Sequence, residues 1–167
     1  MTLKIGINGF GRIGRMVLRS IIESNRKDIE VVAINNRGNS EVSSFLLKHD
    51  TIHGQLKNKI TFSEQFIKID GKEINMIHET EISKINWKKY KVDIVLECTG
   101  KFNSKEKSAQ HIKSGAKKVI VSAPCKNADK TIVYGVNHKT LNKNDLVISA
   151  ASCTTNCLAP VVYILNK

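Results

Sequence analysis

No apolar run in this 167-residue chain is long enough to span a bilayer, and none follows the N-terminus as a secretion signal would need. The expectation is a soluble, unexported, cytoplasmic protein that makes no use of a membrane. The four cysteines, Cys98, Cys125, Cys153 and Cys157, stand singly or four apart, with no C-x-x-C pair and no histidine close by. That spacing argues against a zinc site, so no metal is expected and the thiols read as free in a reducing compartment. Acidic residues are outnumbered 15 to 27 by lysine and arginine, a net charge of +12, which favours an anionic partner, either nucleic acid or a small molecule. The basic residues are mostly scattered lysines, as in Lys57, Lys59, Lys68, Lys72, Lys84, Lys88, Lys89 and Lys91, with few aromatics between them for bases to stack on. A solvated lysine-rich surface accounts for the charge, and nucleic acid is not expected as a partner. Repeats, low-complexity tracts and flexible linkers are also missing, while 41% hydrophobic content is enough for the core of about one domain.

What the chain does have begins at once. Leu3-Lys4-Ile5-Gly6-Ile7 reads as a buried strand and runs into Asn8-Gly9-Phe10-Gly11-Arg12-Ile13-Gly14, a G-x-G-x-x-G loop. Gly9 serves the sharp turn, Gly11 lets backbone approach a pyrophosphate, and Gly14 lets helix and sheet pack closely. Val17, Leu18, Ile21 and Ile22 then recur at helical spacing beside Arg15, Arg19 and Glu23, which predicts an amphipathic helix to about Ser24 with its positive end toward the phosphates. A second strand, Asp28 to Asn35, closes a strand-helix-strand unit. The residue expected to take the adenine ribose hydroxyls falls at Asn36, followed by Arg37.

Further along, Ser40 to His49 reads as a helix with Val42, Phe45 and Leu46 on one face. Ile60–Phe62, Phe66–Ile69 and Glu73–Ile77 alternate at period two, with Asp70-Gly71 as a hairpin turn. Val92 to Cys98 returns to a buried strand, Asn103 to Gly115 reads as a helix capped at Asn103, and strands follow at Lys118–Ser122, Thr131–Tyr134 and Leu146–Ala150. Strands alternating with helices predict an α/β fold, a Rossmann-type doubly wound and mostly parallel sheet with a short antiparallel insertion.

A second chemical site is Ala151-Ser152-Cys153-Thr154-Thr155-Asn156-Cys157-Leu158-Ala159-Pro160, which leaves a strand and enters an apolar helix. A thiol at a helix N-terminus is placed for activation, so Cys153 is the candidate nucleophile, with Ser152 and Thr154 offering hydroxyls to an oxyanion or phosphate. Cys157, Cys98 and Cys125 read as buried packing.

Taken together, these segments resemble phosphorylating glyceraldehyde-3-phosphate dehydrogenase over essentially the whole chain. The residues that carry the resemblance are Ile7 to Arg15, His49 to Gly54, Glu97 to Phe102, Gly115 to Pro124, Tyr134 to His138 and Ser152 to Pro160. The resemblance implies a homotetrameric glycolytic oxidoreductase acting on a small phosphorylated aldehyde with inorganic phosphate and NAD or NADP. It assigns Cys153 as nucleophile, Ser152 and Thr154 to phosphate, and Asn8, Gly9, Phe10, Gly11, Arg12, Ile13, Gly14, Asn36, Arg37, Thr99, Gly100 and Ser122 to the cofactor. Asp50 and His53 belong to a shared motif and read as structural. The family's base histidine and its substrate-phosphate arginine lie beyond Lys167. Residues 1–151 are therefore expected to form the cofactor domain and 152–167 the first helix of a catalytic domain. Erythrose-4-phosphate dehydrogenase shares the Ser-Cys-Thr-Thr-Asn site, and a stand-alone dinucleotide-binding module without turnover is the alternative from another class. The family's usual aspartate is replaced by Asn36, which removes a charge that repels a 2′-phosphate, while Arg37 adds one that attracts it. Use of NADP beside or ahead of NAD is the expectation.

Overall fold

The structure, a computed structural model, describes residues 2–167; Met1, where the expected cofactor domain begins, lies outside them. β1 (Leu3–Asn8) buries Ile5 and Ile7, and Gly9 turns the chain at φ +92° toward α1 (Arg12–Glu23). β2 (Ile29–Asn35) then pairs parallel with β1, with Asn8 opposite Asn35. After α2 (Ser40–Lys48) a small antiparallel pair, β3 (His49–Asp50) and β4 (Gly54–Gln55), leads to β5 (Ile60–Phe62), β6 (Phe66–Ile69) and β7 (Lys72–Ile77). The remaining elements are β8 (Ile94–Glu97), α3 (Lys105–Ser108), α4 (Gln110–Lys113), β9 (Lys118–Val121), β10 (Lys130–Thr131), β11 (Val147–Ser149) and α5 (Cys153–Leu165).

Nine strands form one sheet in the order β10-β11-β9-β8-β1-β2-β7-β6-β5. Every pairing from β10 to β7 is parallel, and β6 and β5 extend the sheet antiparallel. The expected doubly wound sheet and its antiparallel insertion are thus present. Asp70 and Gly71, at φ +48° and +84°, make the tight turn joining β6 to β7, the pair of positive angles that a two-residue hairpin needs. One core cluster gathers Ile7, Ile34, Leu47 and Ile67, and a second surrounds Trp87, Val95, Val119 and Val147.

Four local expectations are corrected. Arg19, placed by periodicity on the polar side of α1, is 3% exposed and donates to the carbonyl oxygens of Gly54 (2.9 Å), His53 (3.2 Å) and Leu47 (3.5 Å). A guanidinium can be buried when several acceptors meet its fixed fork of donors, and this one ties α1 to the 47–54 segment. On α2, Val42, Phe45 and Leu46 are exposed, while Ser40, Ser43, Ser44 and Leu47 are buried. Ser43 accepts from Asn36 and Ser40 donates to the Glu64 carbonyl, while Leu47 enters the core and the buried Ser44 hydroxyl has no partner among the described residues, so two hydrogen-bonded serines and one apolar anchor mark the inner face of α2. The helix expected from Asn103 is capped instead by Ser104, because the Asn103 amide donates to the Gly100 carbonyl at 2.8 Å, and it is divided at Ala109 into two four-residue pieces. The strand expected over Thr131–Tyr134 is cut to Lys130–Thr131, since Val133 instead donates to the Asn137 side chain at 2.8 Å in a following turn.

Candidate active site at the carboxyl edge of the sheet

One rung crosses the parallel strands through Ile77, Asn35, Asn8, Glu97, Val121, Ser149 and Thr131. Because these strands run the same way, the chain leaves all of them on one edge, and both candidate motifs emerge there. β1 lies between β2 and β8, so successive crossovers depart to opposite sides of it, which opens a crevice at that point. A cleft of about 250 Å³ occupies this position. Its floor is Asn8 to Gly11, one end is Asn36, Arg37, Glu79 and Thr80, and the other wall is Cys98, Thr99, Lys101 and Phe102. A larger cavity of about 420 Å³ lies between the end of α1 and the β6–β7 hairpin. No helix begins there, so it lacks the outward-facing amides that bind an anion, and the smaller cleft is the better candidate.

The Gly loop has the shape that a dinucleotide needs. Gly11 is the N-cap of α1, no side chain caps the helix, and no acidic residue stands in its first turn, so the first amides are left to an outside acceptor. A Cβ on Gly11 would meet nothing within 4 Å, consistent with an open cradle. The other two glycines are fixed by contact: a Cβ on Gly14 would lie 2.2 Å from the Gly9 carbonyl oxygen, and one on Gly9 would lie 2.8 Å from the Thr99 amide nitrogen. Phe10 is buried, Ile13 is exposed on the first turn of α1, and Arg12 pairs with Asp50 at 2.9 Å. The backbone amide of His53 holds the Asp50 carboxyl down to about 2; the Ile52 amide and Arg12 add to the shift against the opposing effect of burial. Asp50 thereby organises the segment beside the loop, in keeping with its structural reading. Gly100 is exposed just outside the cleft, and Ser122 donates its amide to the Glu97 carbonyl at 3.0 Å.

Sequence reasoning missed what lies under the floor. Glu97 is 1% exposed, and its carboxylate accepts from Asn8 Nδ2 (2.6 Å), His111 Nε2 (2.9 Å), the Thr99 amide (2.7 Å) and the Thr99 hydroxyl. Trp87 Nε1 stands 3.0 Å from His111 Nδ1. An indole N–H can only donate, so Nδ1 is the acceptor and the ring proton sits on Nε2, aimed at Glu97. Asn35 completes the network by donating to Asn8 Oδ1 at 2.8 Å. Both ends of the Asn8 amide are thus engaged inside the protein, so its side chain supports the floor of the cleft that Asn8 lines. Glu97→Gln puts an NH₂ where donors already converge, and is expected to cost about 2–3 kcal/mol in a urea titration. An unchanged midpoint would contradict the role given to this carboxylate.

At the second site, Ala151 takes φ +62° between β11 and α5, a strained angle for a residue with a Cβ. Asn156 pins the turn by donating to the carbonyls of Ala150 (2.8 Å) and Ser152 (2.9 Å), a role that the motif alone does not disclose. Ser152 caps α5 by accepting from the Thr155 amide at 3.0 Å, and its hydroxyl also lies 2.9 Å from that of Thr154. Cys153 and Thr154 are exposed in the first turn of α5. They share the sheet edge with the cleft but do not line it. Cys157 is exposed as well, against expectation, because α5 buries none of its residues. Cys98 is half-buried in the cleft wall, where burial pushes its thiol up to about 11.

A glycine loop feeding a helix at the switch point of a parallel sheet defines a Rossmann-type dinucleotide-binding domain. The family model described as glyceraldehyde 3-phosphate dehydrogenase, NAD binding domain, matches residues 3–105. The chain belongs to that family and carries its NAD-binding domain. Similar proteins include the glyceraldehyde-3-phosphate dehydrogenases of Cereibacter sphaeroides (52% identical, covering 99% of this chain and 49% of the relative), Xanthobacter flavus (50%, 99% and 50%) and Mycoplasma pneumoniae (46%, 99% and 49%). The chain thus spans about half the length of the curated relatives it matches. No helix among the described residues is long and apolar enough to cross a membrane.

Proposed function

We propose that this chain is the cofactor-binding part of a cytoplasmic, homotetrameric phosphorylating glyceraldehyde-3-phosphate dehydrogenase of glycolysis. In this reading residues 1–151 are the cofactor domain, residues 152–167 open the catalytic domain, and turnover needs the remainder. The observation that carries the reading is the emergence of the open Gly11 cradle and the Cys153 turn on one edge of one sheet. The Cys153 thiolate adds to the aldehyde carbon to give a thiohemiacetal. A bound nicotinamide would supply the acceptor for the hydride on the adduct carbon, and with the hydroxyl proton passing to a base Cys153 would be left as a thioester. Inorganic phosphate, held with the help of Thr154 and Ser152, then attacks the thioester carbon, and the acyl phosphate departs as Cys153 regains its thiolate. Among the described residues no histidine hydrogen-bonds Cys153, so the general base belongs to the rest of the enzyme. Turnover of glyceraldehyde 3-phosphate compared with erythrose 4-phosphate by the complete protein tests the substrate. Higher kcat/KM for the four-carbon sugar would overturn the assignment.

The cofactor reading includes NADP. Asn36 and Arg37 both line the cleft, Arg37 is exposed, and neither supplies the negative charge that would exclude a 2′-phosphate. The Asn36 amide nitrogen donates to Ser43 at 3.1 Å, which turns that end of the side chain toward α2. Steady-state kinetics are expected to give kcat/KM for NAD no more than about tenfold above that for NADP, a gap of roughly 1.4 kcal/mol. A larger gap refutes NADP use. Asn36→Asp should move the ratio toward NAD, and Arg37→Ala should weaken NADP alone.

A further inference from the structure

Glu97 closes β8 with 1% of its surface exposed, and the proposed mechanism gives its charge no task. Asn8 Nδ2 and His111 Nε2 donate to one of its carboxylate oxygens, and the Thr99 amide and hydroxyl donate to the other. The Thr99 hydroxyl in turn accepts from the Lys101 amide at 3.1 Å. Four donors on two oxygens are what an anion needs. The ring facing this anion does not cancel its charge. Trp87 Nε1 donates to His111 Nδ1 at 3.0 Å, which reserves that nitrogen as an acceptor and leaves the imidazole a single proton, on Nε2. No lysine or arginine among the described residues pairs with the Glu97 carboxylate. A negative charge is thus kept in the interior on dipoles alone, with no cation to offset its desolvation.

That charge lies one residue beneath the cleft, since Asn8 and Thr99, which it holds, both line it. The charged residues of the lining itself are Arg37 and Glu79, which offset one another at the ribose end, and Lys101, which is exposed where solvent screens it. In a Rossmann-type fold the second half of the sheet takes the nicotinamide side of the dinucleotide, and β8, beside β1 on the side away from β2, begins that half here. The nicotinamide ring is a cation in the oxidised cofactor and neutral in the reduced one, while the pyrophosphate and both riboses are the same in each. We propose that Glu97 is a specificity-determining residue for the oxidation state of the cofactor: its buried carboxylate favours the cationic ring of NAD over the neutral ring of NADH. Hydride transfer to the ring discharges the attraction, so the reduced cofactor is the more readily released. Repulsion of the pyrophosphate by the same charge weakens both forms equally and leaves the preference intact. The inference rests on the reading that the nicotinamide half lies over the end of β8 beside Thr99.

The test is calorimetric titration of the complete protein and two variants with NAD and with NADH, at neutral pH and without aldehyde or phosphate. Wild type is expected to bind NAD about fivefold or more tightly than NADH, the scale of one partly screened charge pair. Glu97→Gln, which keeps the length of the side chain and removes its charge, should shrink that ratio by about fivefold. Glu97→Asp keeps the charge at a shorter reach, so both affinities should fall while the ratio stays within about twofold of wild type. Cys153 is the same in all three proteins, so its thiolate does not contribute to the change. A ratio that Glu97→Gln leaves unchanged while both affinities fall would assign the carboxylate a purely structural role and contradict the proposal. Loss of the ratio in Glu97→Asp as in Glu97→Gln would assign the preference to hydrogen-bond geometry and contradict it too. Wild type that binds NADH as tightly as NAD would overturn this inference without any variant and leave the cofactor reading standing. Failure of wild type to bind either form would overturn the cofactor reading and this inference with it.

Discussion

Gly11→Ala and Gly14→Ala are expected to separate cofactor binding from folding. At Gly14 an added Cβ would lie 2.2 Å from the Gly9 carbonyl oxygen and 3.2 Å from Ile7 Cγ2, inside the close approach of α1 to the end of β1. Backbone cannot yield there without moving the helix. The expected cost is about 3 kcal/mol, lowering the melting temperature by roughly 6–12 °C in a chain of this size. At Gly11 the backbone is already at φ −70°, and an added Cβ meets nothing within 4 Å. Stability should change by no more than about 1 kcal/mol, the scale of an N-cap substitution. Dinucleotide affinity should nevertheless fall by more than about tenfold, because the methyl group stands where the phosphates approach the helix amides. Differential scanning calorimetry and a binding titration on both variants check this. Undiminished binding by Gly11→Ala would mean that the loop is only a turn.

The second large effect is expected at Cys153. Cys153→Ser in the complete protein should lower kcat by about a thousandfold or more, since a serine hydroxyl is almost wholly un-ionised near pH 7, whereas a cysteine can supply thiolate. Cofactor affinity should stay within about twofold of wild type, because Cys153 lies outside the cleft lining. Alkylation at pH 7 followed by peptide mass analysis should find Cys153 modified first. Cys98 is held back by a thiol pushed up to about 11 by burial, and burial also raises that of Cys125. Cys157 is the discriminating comparison, because it shares the helix and is exposed like Cys153. It lies one turn farther from the amides at the helix start, where thiolate stabilisation fades. Equal rates at the two positions would remove the case for an activated thiol.

The parts of this molecule that sequence discloses are those whose cause is local. The Gly loop, the period-two hairpin and strands β1, β2 and β5 to β9 depend on neighbours within a few residues, and they stand where patterning puts them to within a residue or two, whereas the strand expected over Thr131–Tyr134 does not. The supporting chemistry is long-range. Asn8 and Glu97 are 89 residues apart in sequence, and Trp87 reaches His111 across 24. No spacing rule joins them, although a lone tryptophan in a chain so poor in aromatics was the available signal. Arg19 shows the same limit on one helix. Periodicity counted it as polar and outward, but the carbonyls of residues 47, 53 and 54 supply acceptors that only the folded chain brings together. On α2 the limit is the reverse, since apolar Val42, Phe45 and Leu46 make the pattern while Leu47 and the hydrogen-bonded Ser40 and Ser43 face inward. At the thiol, the motif pointed to Cys153, but the turn that presents it depends on Ala151 at positive φ and on the two hydrogen bonds from Asn156.

A crystal structure of the protein grown with NAD tests the central claim most directly, because it asks where the dinucleotide lies. The pyrophosphate is predicted on the first-turn amides of α1 above Gly11, with the adenine ribose against Asn36 and Arg37 and the nicotinamide end running toward Thr99 and the Cys153 turn. A dinucleotide seated in the larger cavity between α1 and the β6–β7 hairpin, or one whose phosphates make no contact with the α1 amides, would contradict it.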